Sequence, residues 1–150
     1  KLRETNAVLA GEMSGHIFFN DQWYGFDDAI YAGARLLSIL ARKERIQEFL
    51  NSLPDSSCTP ELKMNIEGFP VKHIMSKLKS SQMFPKSIEL NFIDGIRVEY
   101  EKGFGLVRPS NTTPSLVFRF EGDDLNSLEQ IKHEFRVAMK EVFPSLKTPF

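Results

Sequence analysis

Apolar positions divide the chain into two patterned stretches separated by a segment without periodicity. In the first stretch, residues 1–53, the runs NAVLAG and HIFF predict two short strands joined through EMSG. Four apolar residues then recur at the spacing of a helix: Ile30, Ala34, Leu37 and Ala41. Asp27 is the predicted N-cap of this helix, and RIQEFLNSL predicts a second, shorter helix. The segment 54–61, rich in Pro and Ser, predicts a linker.

The second stretch, residues 62–150, mixes strand and helix patterns. ELKMNIEG predicts a strand, and PVKHIMSKLKS predicts a helix with Pro70 at its start. Alternating apolar residues from Ile88 onward, with a tight-turn signal at Asp94-Gly95, predict a meander that ends in the strand SLVFRFEG. The segment DDLNSLEQIKHEFRVAMKEVF predicts an amphipathic helix. Its buried stripe is expected to contain Leu128, Ile131, Phe135, Met139 and Val142.

This order of elements predicts an α+β fold. We expect residues 62–150 to form a four-stranded antiparallel sheet covered on one face by two helices. Residues 1–53 are expected to form a separate piece, joined to that domain by the linker at 54–61. The chain starts at Lys1 and enters a strand-like segment almost at once, so we expect it to be the C-terminal part of a longer protein.

Charge and cysteine content narrow the class of protein. The 19 Lys and Arg residues against 20 Asp and Glu residues give a formal net charge of -1, which argues against a nucleic-acid partner because such binding needs a basic face. No apolar run approaches the roughly 20 residues that a membrane-spanning helix needs, so we expect no membrane partner. Cys58 is the single cysteine, which suits a reducing compartment, and the cytoplasm is the expected location.

The stretch RPSNTTP, residues 108–114, joins two predicted strands with more polar residues than a hairpin needs. Arg108 offers a planar guanidinium that matches phosphate oxygens in pairs. Its neutral neighbours are the Asn111 amide and the hydroxyls of Ser110, Thr112 and Thr113. One positive charge among neutral donors suits a phosphate that must bind and then leave. The same residue types also dominate ordinary turns, so composition leaves a phosphate site and a polar turn both open.

A second stretch, GEMSGH, combines glycines with polar side chains. Gly11 and Gly15 allow backbone angles that other residues rarely adopt, and they would present Glu12, Ser14 and His16 at a loop tip. A carboxylate that accepts bonds from neighbouring hydroxyls can read a sugar ring. The histidine can bond a phosphate when charged or assist proton transfer near neutral pH. The alternative is a turn with a capping Glu and a surface His.

Together these stretches resemble the C-terminal part of the α-D-phosphohexomutases, most closely the bacterial phosphomannomutase/phosphoglucomutase group. GEMSGH is similar to the sugar-binding loop of the family's third domain, and RPSNTTP is similar to the phosphate-binding loop of its fourth domain. The flanking runs LAGEMSGHIFF, GFDDAIYAGARLL and GLVRPSNTTPSLVFRFEG also fit, so the resemblance covers essentially the whole chain. Met13 is typical of this group, whereas phosphoglucosamine mutases tend to carry Gln there.

The resemblance implies a fold and a role for each loop. Residues 1–53 would be part of an α/β third domain, and residues 62–150 would be a complete phosphoglucomutase C-terminal domain, which is TATA-binding-protein-like. Glu12 and Ser14 would bond the hexose hydroxyls O3 and O4, and His16 would lie near the reacting end of the sugar. The phosphate that is not transferred would be held by Arg108, Ser110, Asn111 and Thr112.

The resemblance also implies partners and cofactors that act elsewhere in the parent enzyme. The family interconverts hexose 1-phosphate and hexose 6-phosphate through a hexose 1,6-bisphosphate, using a phosphoserine in its first domain and a Mg²⁺ loop of aspartates in its second. This sequence has neither a serine-histidine nucleophile motif nor an Asp-Gly-Asp loop. We therefore expect no metal ligand and no catalytic residue here, with His16 as the one candidate to assist. The expected partners are hexose phosphates and the missing N-terminal domains.

Two functions of different classes remain open from the sequence. The first is the recognition end of a phosphohexomutase, inactive on its own. The second is a non-catalytic module that binds a phosphosugar.

Glucose and mannose differ only at C2, so a site that contacts O3 and O4 accepts both sugars. The sequence does not rank the two sugars.

Overall fold

The chain divides into two units, Lys1–Leu53 and Pro54–Phe150, in a computed structural model that describes residues 2–12, 15–145 and 147–150. Each unit has its own sheet.

Within its described residues, the first unit consists of a small hairpin and three helices. In chain order its elements are α1 (Leu2–Thr5), β1 (Leu9–Gly11), β2 (Ile17–Phe19), α2 (Ala29–Leu40) and α3 (Ile46–Asn51). The two strands pair antiparallel, with Leu9 opposite Phe19 and Gly11 opposite Ile17. The two strands and the two longer helices agree with the sequence pattern, and the hairpin brings the ends of GEMSGH together.

The N-cap of α2 differs from the prediction by one residue. Asp28 is the cap, because its backbone is extended and its carboxylate accepts a hydrogen bond from the Tyr31 N–H at 2.9 Å. The predicted cap, Asp27, is wrong: its carboxylate accepts from the Ile17 N–H at 3.1 Å and bonds His16. Two adjacent acids compete for one cap, and the hairpin engages the first of them.

The apolar stripe of α2 has no cover in the described part of the chain. Ile30 and Leu37 are 88% and 67% exposed, and no described residue of this helix is buried. Helical spacing correctly predicts the helix, but spacing does not supply the packing partner that gives most helices in proteins their stability.

The second unit is built around one antiparallel sheet with helices on one face. Its strands are β3 (Ser57–Cys58), β4 (Leu62–Asn65), β5 (Glu89–Asn91), β6 (Ile96–Tyr100), β7 (Gly103–Pro109) and β8 (Ser115–Gly122). Their order is β3-β8-β7-β6-β5, and β4 also pairs with β8. The helices are α4 (Val71–Leu78) and α5 (Leu125–Val142). The α+β class is confirmed, although the sheet has six described strands where four were predicted.

Part of the segment predicted as a linker lies in this sheet. β3 pairs with β8, so that Cys58 is opposite Glu121. Thr59 is buried, and its Oγ1 accepts a hydrogen bond from the Phe120 N–H at 3.1 Å. A strand of two residues is too short to show alternation, so the Pro- and Ser-rich composition of the segment conceals it.

The core of the second unit lies between the sheet and α5. All members of the predicted stripe of this helix are buried: Leu128, Ile131, Phe135, Met139 and Val142. Phe118 and Phe120 of β8 are fully buried on the helix side. Arg108 is opposite Val117 in the β7–β8 ladder, one residue out of step with the buried pair Val107 and Phe118. Because side chains alternate along a strand, Arg108 lies on the face of the sheet without helices.

Candidate functional site

The RPSNTTP loop connects the longest pair of neighbouring strands in the second unit. Arg108 and Pro109 are the last residues of β7, and Ser115 is the first residue of β8. The Ser110 N–H donates to the Ser115 carbonyl at 2.8 Å, and the Ser115 N–H donates to the Thr113 carbonyl at 2.7 Å. These bonds close the loop at its base, so the polar side chains project from an ordered turn.

Three hydroxyl groups of this loop meet the hydroxyl of Ser115 at the start of β8. The Thr113 hydroxyl donates to Ser110 Oγ at 3.0 Å and lies 2.7 Å from Ser115 Oγ. Ser110 Oγ also lies 3.4 Å from Thr112 Oγ1, and it accepts from the N–H groups of Thr112 and Thr113 at 3.3 Å each. Asn111 is exposed beside them. Because a hydroxyl hydrogen can rotate, this cluster can turn donors toward a bound anion.

Arg108 supplies the positive charge at the base of this loop, and it lies between two carboxylates. Its Nη2 is 3.9 Å from Glu61 Oε2, and its Nε is 3.9 Å from Asp94 Oδ2. Both distances exceed the length of a hydrogen bond. The guanidinium is therefore held by charge alone in these pairs, and it can reorient toward an incoming anion.

The turn at Asp94-Gly95, which the sequence predicts, brings one of these carboxylates to Arg108. Gly95 has φ +81°, and an added Cβ would lie 2.5 Å from the Arg108 Cβ and 2.3 Å from the Val107 carbonyl oxygen. Only glycine permits both this backbone angle and this approach. Sequence reasoning missed Asp94 and Glu61 as neighbours of Arg108, because that contact depends on how the strands pair.

Part of the second predicted site is described. Met13 and Ser14 lie outside the described residues, so the predicted role of Ser14 stays a prediction. The Glu12 N–H donates to the His16 carbonyl at 2.9 Å, and the Gly15 N–H donates to the Glu12 carbonyl at 3.0 Å. Gly15 has φ +91°, a backbone angle that favours glycine. The exposed Glu12 and His16 thus stand at opposite ends of one loop.

His16 is paired with Asp27, a contact that sequence reasoning did not find. His16 Nδ1 lies 2.5 Å from Asp27 Oδ2. The hydrogen bond and negative charge of Asp27 raise the pKa of His16, and the charge of Glu12 raises it further. In turn, hydrogen bonds from His16 and the Ile17 N–H lower the pKa of Asp27. With Nδ1 engaged, Nε2 is the ring nitrogen that remains to meet a ligand.

The substitution Asp27→Asn should lower the pKa of His16 toward its ordinary value of 6.5. We expect this because the substitution removes the charge that favours the imidazolium. Folding raises the pKa of His16. The His16–Asp27 pair therefore makes its full contribution to stability below the pKa that His16 has in the unfolded chain. That contribution is lost as pH rises through the folded pKa. An NMR pH titration of the imidazole measures the shift.

The matched control for this titration is Asp28→Asn. Asp28 is adjacent in sequence, but its carboxylate bonds the Tyr31 N–H, and Asn can also cap a helix. The pKa of His16 should therefore stay raised in this variant. Equal pKa changes in both variants would contradict the assignment of Asp27 as the partner of His16.

Within residues 2–12, 15–145 and 147–150, no three His, Cys, Asp or Glu side chains are grouped so that they could hold a metal ion. No described helix is both long and apolar enough to span a membrane.

The predicted site residues therefore fall into two groups. In the second unit, Ser110 and Thr112 share one hydroxyl cluster, and Arg108 lies at the base of the same loop. In the first unit, Glu12 and His16 close a loop that is held by Asp27.

Comparison with known proteins relates both parts of the chain to one family. Residues 1–56 match the model of the phosphoglucomutase/phosphomannomutase alpha/beta/alpha domain III, and residues 71–138 match that of the phosphoglucomutase/phosphomannomutase C-terminal domain. A phosphoglucomutase of Neisseria meningitidis is 48% identical over 99% of this chain and 32% of its own length. A phosphomannomutase/phosphoglucomutase of Pseudomonas aeruginosa is 46% identical over 100% of this chain and 32% of its own length.

A solved structure of a protein from the same family also matches this chain. The crystal structure of a phosphoglucomutase/phosphomannomutase family protein from Burkholderia thailandensis matches with a TM-score of 0.85 and 50% identity, over 99% of this chain and 31% of that one. The chain thus spans about a third of the length of the relatives it matches.

Proposed function

The chain belongs to the phosphoglucomutase/phosphomannomutase family, and from this premise we propose that it is the sugar-phosphate recognition part of a phosphohexomutase. The parent enzyme interconverts hexose 1-phosphate and hexose 6-phosphate through a hexose 1,6-bisphosphate. The observation that carries the proposal is the RPSNTTP loop, where Arg108 lies at the base of a converging set of hydroxyls.

In this proposal the loop holds the phosphate that is not being transferred. Arg108 pairs with two phosphate oxygens, and Ser110, Asn111 and Thr112 donate to the others. Glu61 and Asp94, each 3.9 Å from the guanidinium, offset part of its charge. Binding is therefore moderate, which suits an intermediate that must turn over between its two phosphate groups.

The GEMSGH loop reads the sugar in the same proposal. Glu12 and Ser14 bond O3 and O4, which glucose and mannose share. His16 is kept protonated to a higher pH by Asp27, so its Nε2 can donate a hydrogen bond near the reacting end of the sugar. Because these contacts do not depend on the configuration at C2, the parent enzyme would accept both hexoses.

The expected compartment of the parent enzyme is the cytoplasm.

The phosphoserine and the Mg²⁺ loop of the parent enzyme are assigned to its N-terminal domains. We therefore expect the isolated chain to show no conversion of glucose 1-phosphate to glucose 6-phosphate, even with Mg²⁺ and the bisphosphate present. A dehydrogenase-coupled assay measures this conversion. Turnover that co-purifies with the chain would contradict the assignment.

An NMR titration of the isotope-labelled chain with glucose 1-phosphate tests recognition, with glucose and inorganic phosphate as controls. Saturable shifts at both loops are expected. Shifts at 108–112 alone, matched by inorganic phosphate, would restrict the chain to a phosphate clamp. No shift at either loop would overturn the proposal for the isolated chain.

The second candidate is a phosphosugar-binding module without chemistry, which the same two loops would also serve. The sequence encoded upstream of Lys1 separates the two candidates. A reactive serine motif and an aspartate loop there would support the enzyme, and a start codon at Lys1 would support the module.

A further inference from the structure

Arg108 shares one of its carboxylate neighbours with a second cation, Lys63 of β4. Lys63 Nζ lies 3.3 Å from Glu61 Oε1, and Arg108 Nη2 lies 3.9 Å from Oε2 of the same carboxylate. The two oxygens of Glu61 therefore face one cation each. The function proposed above gives Lys63 no role.

Strand pairing explains why the two cations meet one carboxylate. Lys63 is opposite Val117, and Val117 is opposite Arg108, so the three residues form a row across β4, β8 and β7. Opposite residues share a face of the sheet, and strand spacing puts the backbones of the two cationic residues about 10 Å apart. The buried Val117 between them offers neither a charge nor a side-chain hydrogen bond. Glu61, just before β4, is the group that links them.

The carboxylate is not shared equally between the two cations. It lies closer to the ammonium than to the guanidinium, and its 3.9 Å distance from Arg108 is too long for a hydrogen bond. The Lys63 side chain is 64% exposed, whereas those of Glu61 and Arg108 are 34% and 29% exposed. A lysine on a flexible, solvated stem can follow the carboxylate as it moves. Lys63 thus draws Glu61 away from Arg108.

A phosphate that binds Arg108 competes with Glu61. Both are anions, and both need the N–H donors of the same guanidinium. The negative charge of an arriving phosphate also repels the carboxylate, and Lys63 offers the carboxylate a place to go. When the phosphate leaves, Glu61 can move back toward Arg108.

We propose that Lys63 is a positioning residue of the phosphate site, which acts through Glu61. It holds this carboxylate off Arg108 and so keeps the guanidinium open to a phosphate group. This role rests on the phosphate binding proposed above for RPSNTTP, and it assigns control of the affinity to two residues outside that loop. Lys63 itself does not contact the phosphate.

Asp94 is a natural comparison for Glu61. Its Oδ2 lies at the same distance from the guanidinium, 3.9 Å from Arg108 Nε. It comes from the β5–β6 connection, however, and so approaches β7 from the side opposite to β8 and β4. Lys63 should therefore affect how Glu61 competes for Arg108 and leave the effect of Asp94 unchanged.

The test is an NMR titration of the 150-residue chain with glucose 1-phosphate and, separately, inorganic phosphate. The ionic strength is low and fixed, because salt screens exposed charges. Lys63→Met should weaken binding of both probes by about threefold, since Glu61 can then close on Arg108. Glu61→Gln should strengthen binding by about threefold, because it removes the competing charge. Lys63→Arg should restore the affinity of the unmodified chain, since it keeps the charge that holds Glu61.

Double variants separate an action through Glu61 from a direct attraction of the phosphate by Lys63. In the Glu61→Gln chain, Lys63→Met should change the affinity by less than about 1.5-fold, because no carboxylate remains to be released. In the Asp94→Asn chain, the loss of about threefold should persist.

Lys102→Met is the matched control for the loss of an exposed lysine. Lys102 lies in the β6–β7 turn, at the end of β7 opposite to the phosphate loop. A strand of seven residues separates it from that loop by about 20 Å. The affinity for either probe should therefore stay within about 1.5-fold of that of the unmodified chain.

Three results would overturn the role of Lys63. The first is an unchanged affinity in Lys63→Met, or a loss no larger than in Lys102→Met. The second is a loss of equal size with and without the Glu61 carboxylate, which would mean that Lys63 attracts the phosphate directly. The third is weaker binding in Glu61→Gln, which would make Glu61 a support for Arg108 and not a competitor. If Glu61→Gln fails to fold, the comparison of Lys63→Met with Lys63→Arg and Lys102→Met decides alone.

Failure of the proposed function would look different. In that case the unmodified chain would show no saturable shift at residues 108–112 with either probe, and the role of Lys63 would fall with it. Binding by the unmodified chain that is insensitive to Lys63 and Glu61 would overturn the role of Lys63 and leave the phosphate loop in place.

Discussion

The substitution Arg108→Lys should weaken binding of glucose 1-phosphate to this chain by roughly 10- to 100-fold, the equivalent of one lost charge-assisted hydrogen bond. Lysine keeps the positive charge but lacks the planar fork that meets two phosphate oxygens at once. It would also remain near Glu61 and Asp94, each 3.9 Å from the present guanidinium, and these carboxylates can hold a flexible ammonium more closely. Isothermal titration calorimetry at fixed salt measures the change, because phosphate affinity varies with ionic strength.

Arg119→Lys is the matched control for this measurement. Arg119 of β8 is opposite Leu106 in the β7–β8 ladder, on the same face of the sheet as Arg108 but outside the loop. The same chemical change there should leave glucose 1-phosphate affinity within about twofold of the unmodified chain, as expected for a screened charge without a direct contact. Equal losses in the two variants would mean that the face attracts phosphate through its general charge. Unchanged affinity in Arg108→Lys would remove Arg108 from the site.

Long periodic segments of this chain could be predicted well because many residues carry the signal. The stripe of α5 repeats over 18 helical residues, and the structure buries each member that the pattern selects. Ile96 and Val98 in β6 alternate with more exposed neighbours in the same way. In both elements the local pattern and the tertiary packing agree, which is the usual condition for a reliable prediction.

Short elements and packing partners could not be predicted from the same kind of pattern. β3 has two residues, Ser57 and Cys58, which is too few for a period. Asp27 and Asp28 are equivalent as cap candidates until the β1–β2 hairpin engages Asp27. The exposure of Ile30 shows that helical spacing predicts a helix without predicting what covers it.

The candidate site was partly predictable for a related reason. Arg108 and the loop hydroxyls are close in sequence, so one stretch of residues carries that whole pattern. Glu61, just before β4, and Asp94, in the β5–β6 connection, both reach Arg108. Their approach depends on the strand order, which no local pattern specifies. The pairing of His16 with Asp27 across 11 positions is of the same kind.

The largest stability effect is expected at Phe135, which packs beneath β7, the strand that carries Arg108. Phe135 is 1% exposed, and its ring centroid lies 4.8 Å from that of Phe84 and 5.0 Å from that of Phe120. Phe135→Ala should lower the free energy of unfolding by about 3–5 kcal/mol, since it removes a buried ring and leaves a cavity. This is a large part of the 5–15 kcal/mol that is typical of a domain, and urea denaturation followed by circular dichroism measures it.

Gly105 offers a sharper test of the same contact, because it makes the room that the ring occupies. An added Cβ at Gly105 would lie 2.3 Å from Phe135 Cε2 and 2.7 Å from Cζ. Gly105→Ala alone should therefore destabilise the unit by about 1–3 kcal/mol through overpacking. In the double variant with Phe135→Ala, the new methyl group enters the space that the ring has left. The double variant should thus lose less stability than the sum of the two single variants, by about 0.5–3 kcal/mol.

Gly33→Ala provides the control for this double-mutant cycle. Gly33 lies in α2 of the other unit, and an added Cβ there meets nothing within 4 Å. Its effect should add to that of Phe135→Ala within about 0.5 kcal/mol, as expected for distant sites. If the losses of Gly105→Ala and Phe135→Ala are additive, the Phe135 ring does not occupy the space beside Gly105. Sub-additive losses would establish that the absence of a side chain at Gly105 lets α5 pack against β7, the strand that carries Arg108.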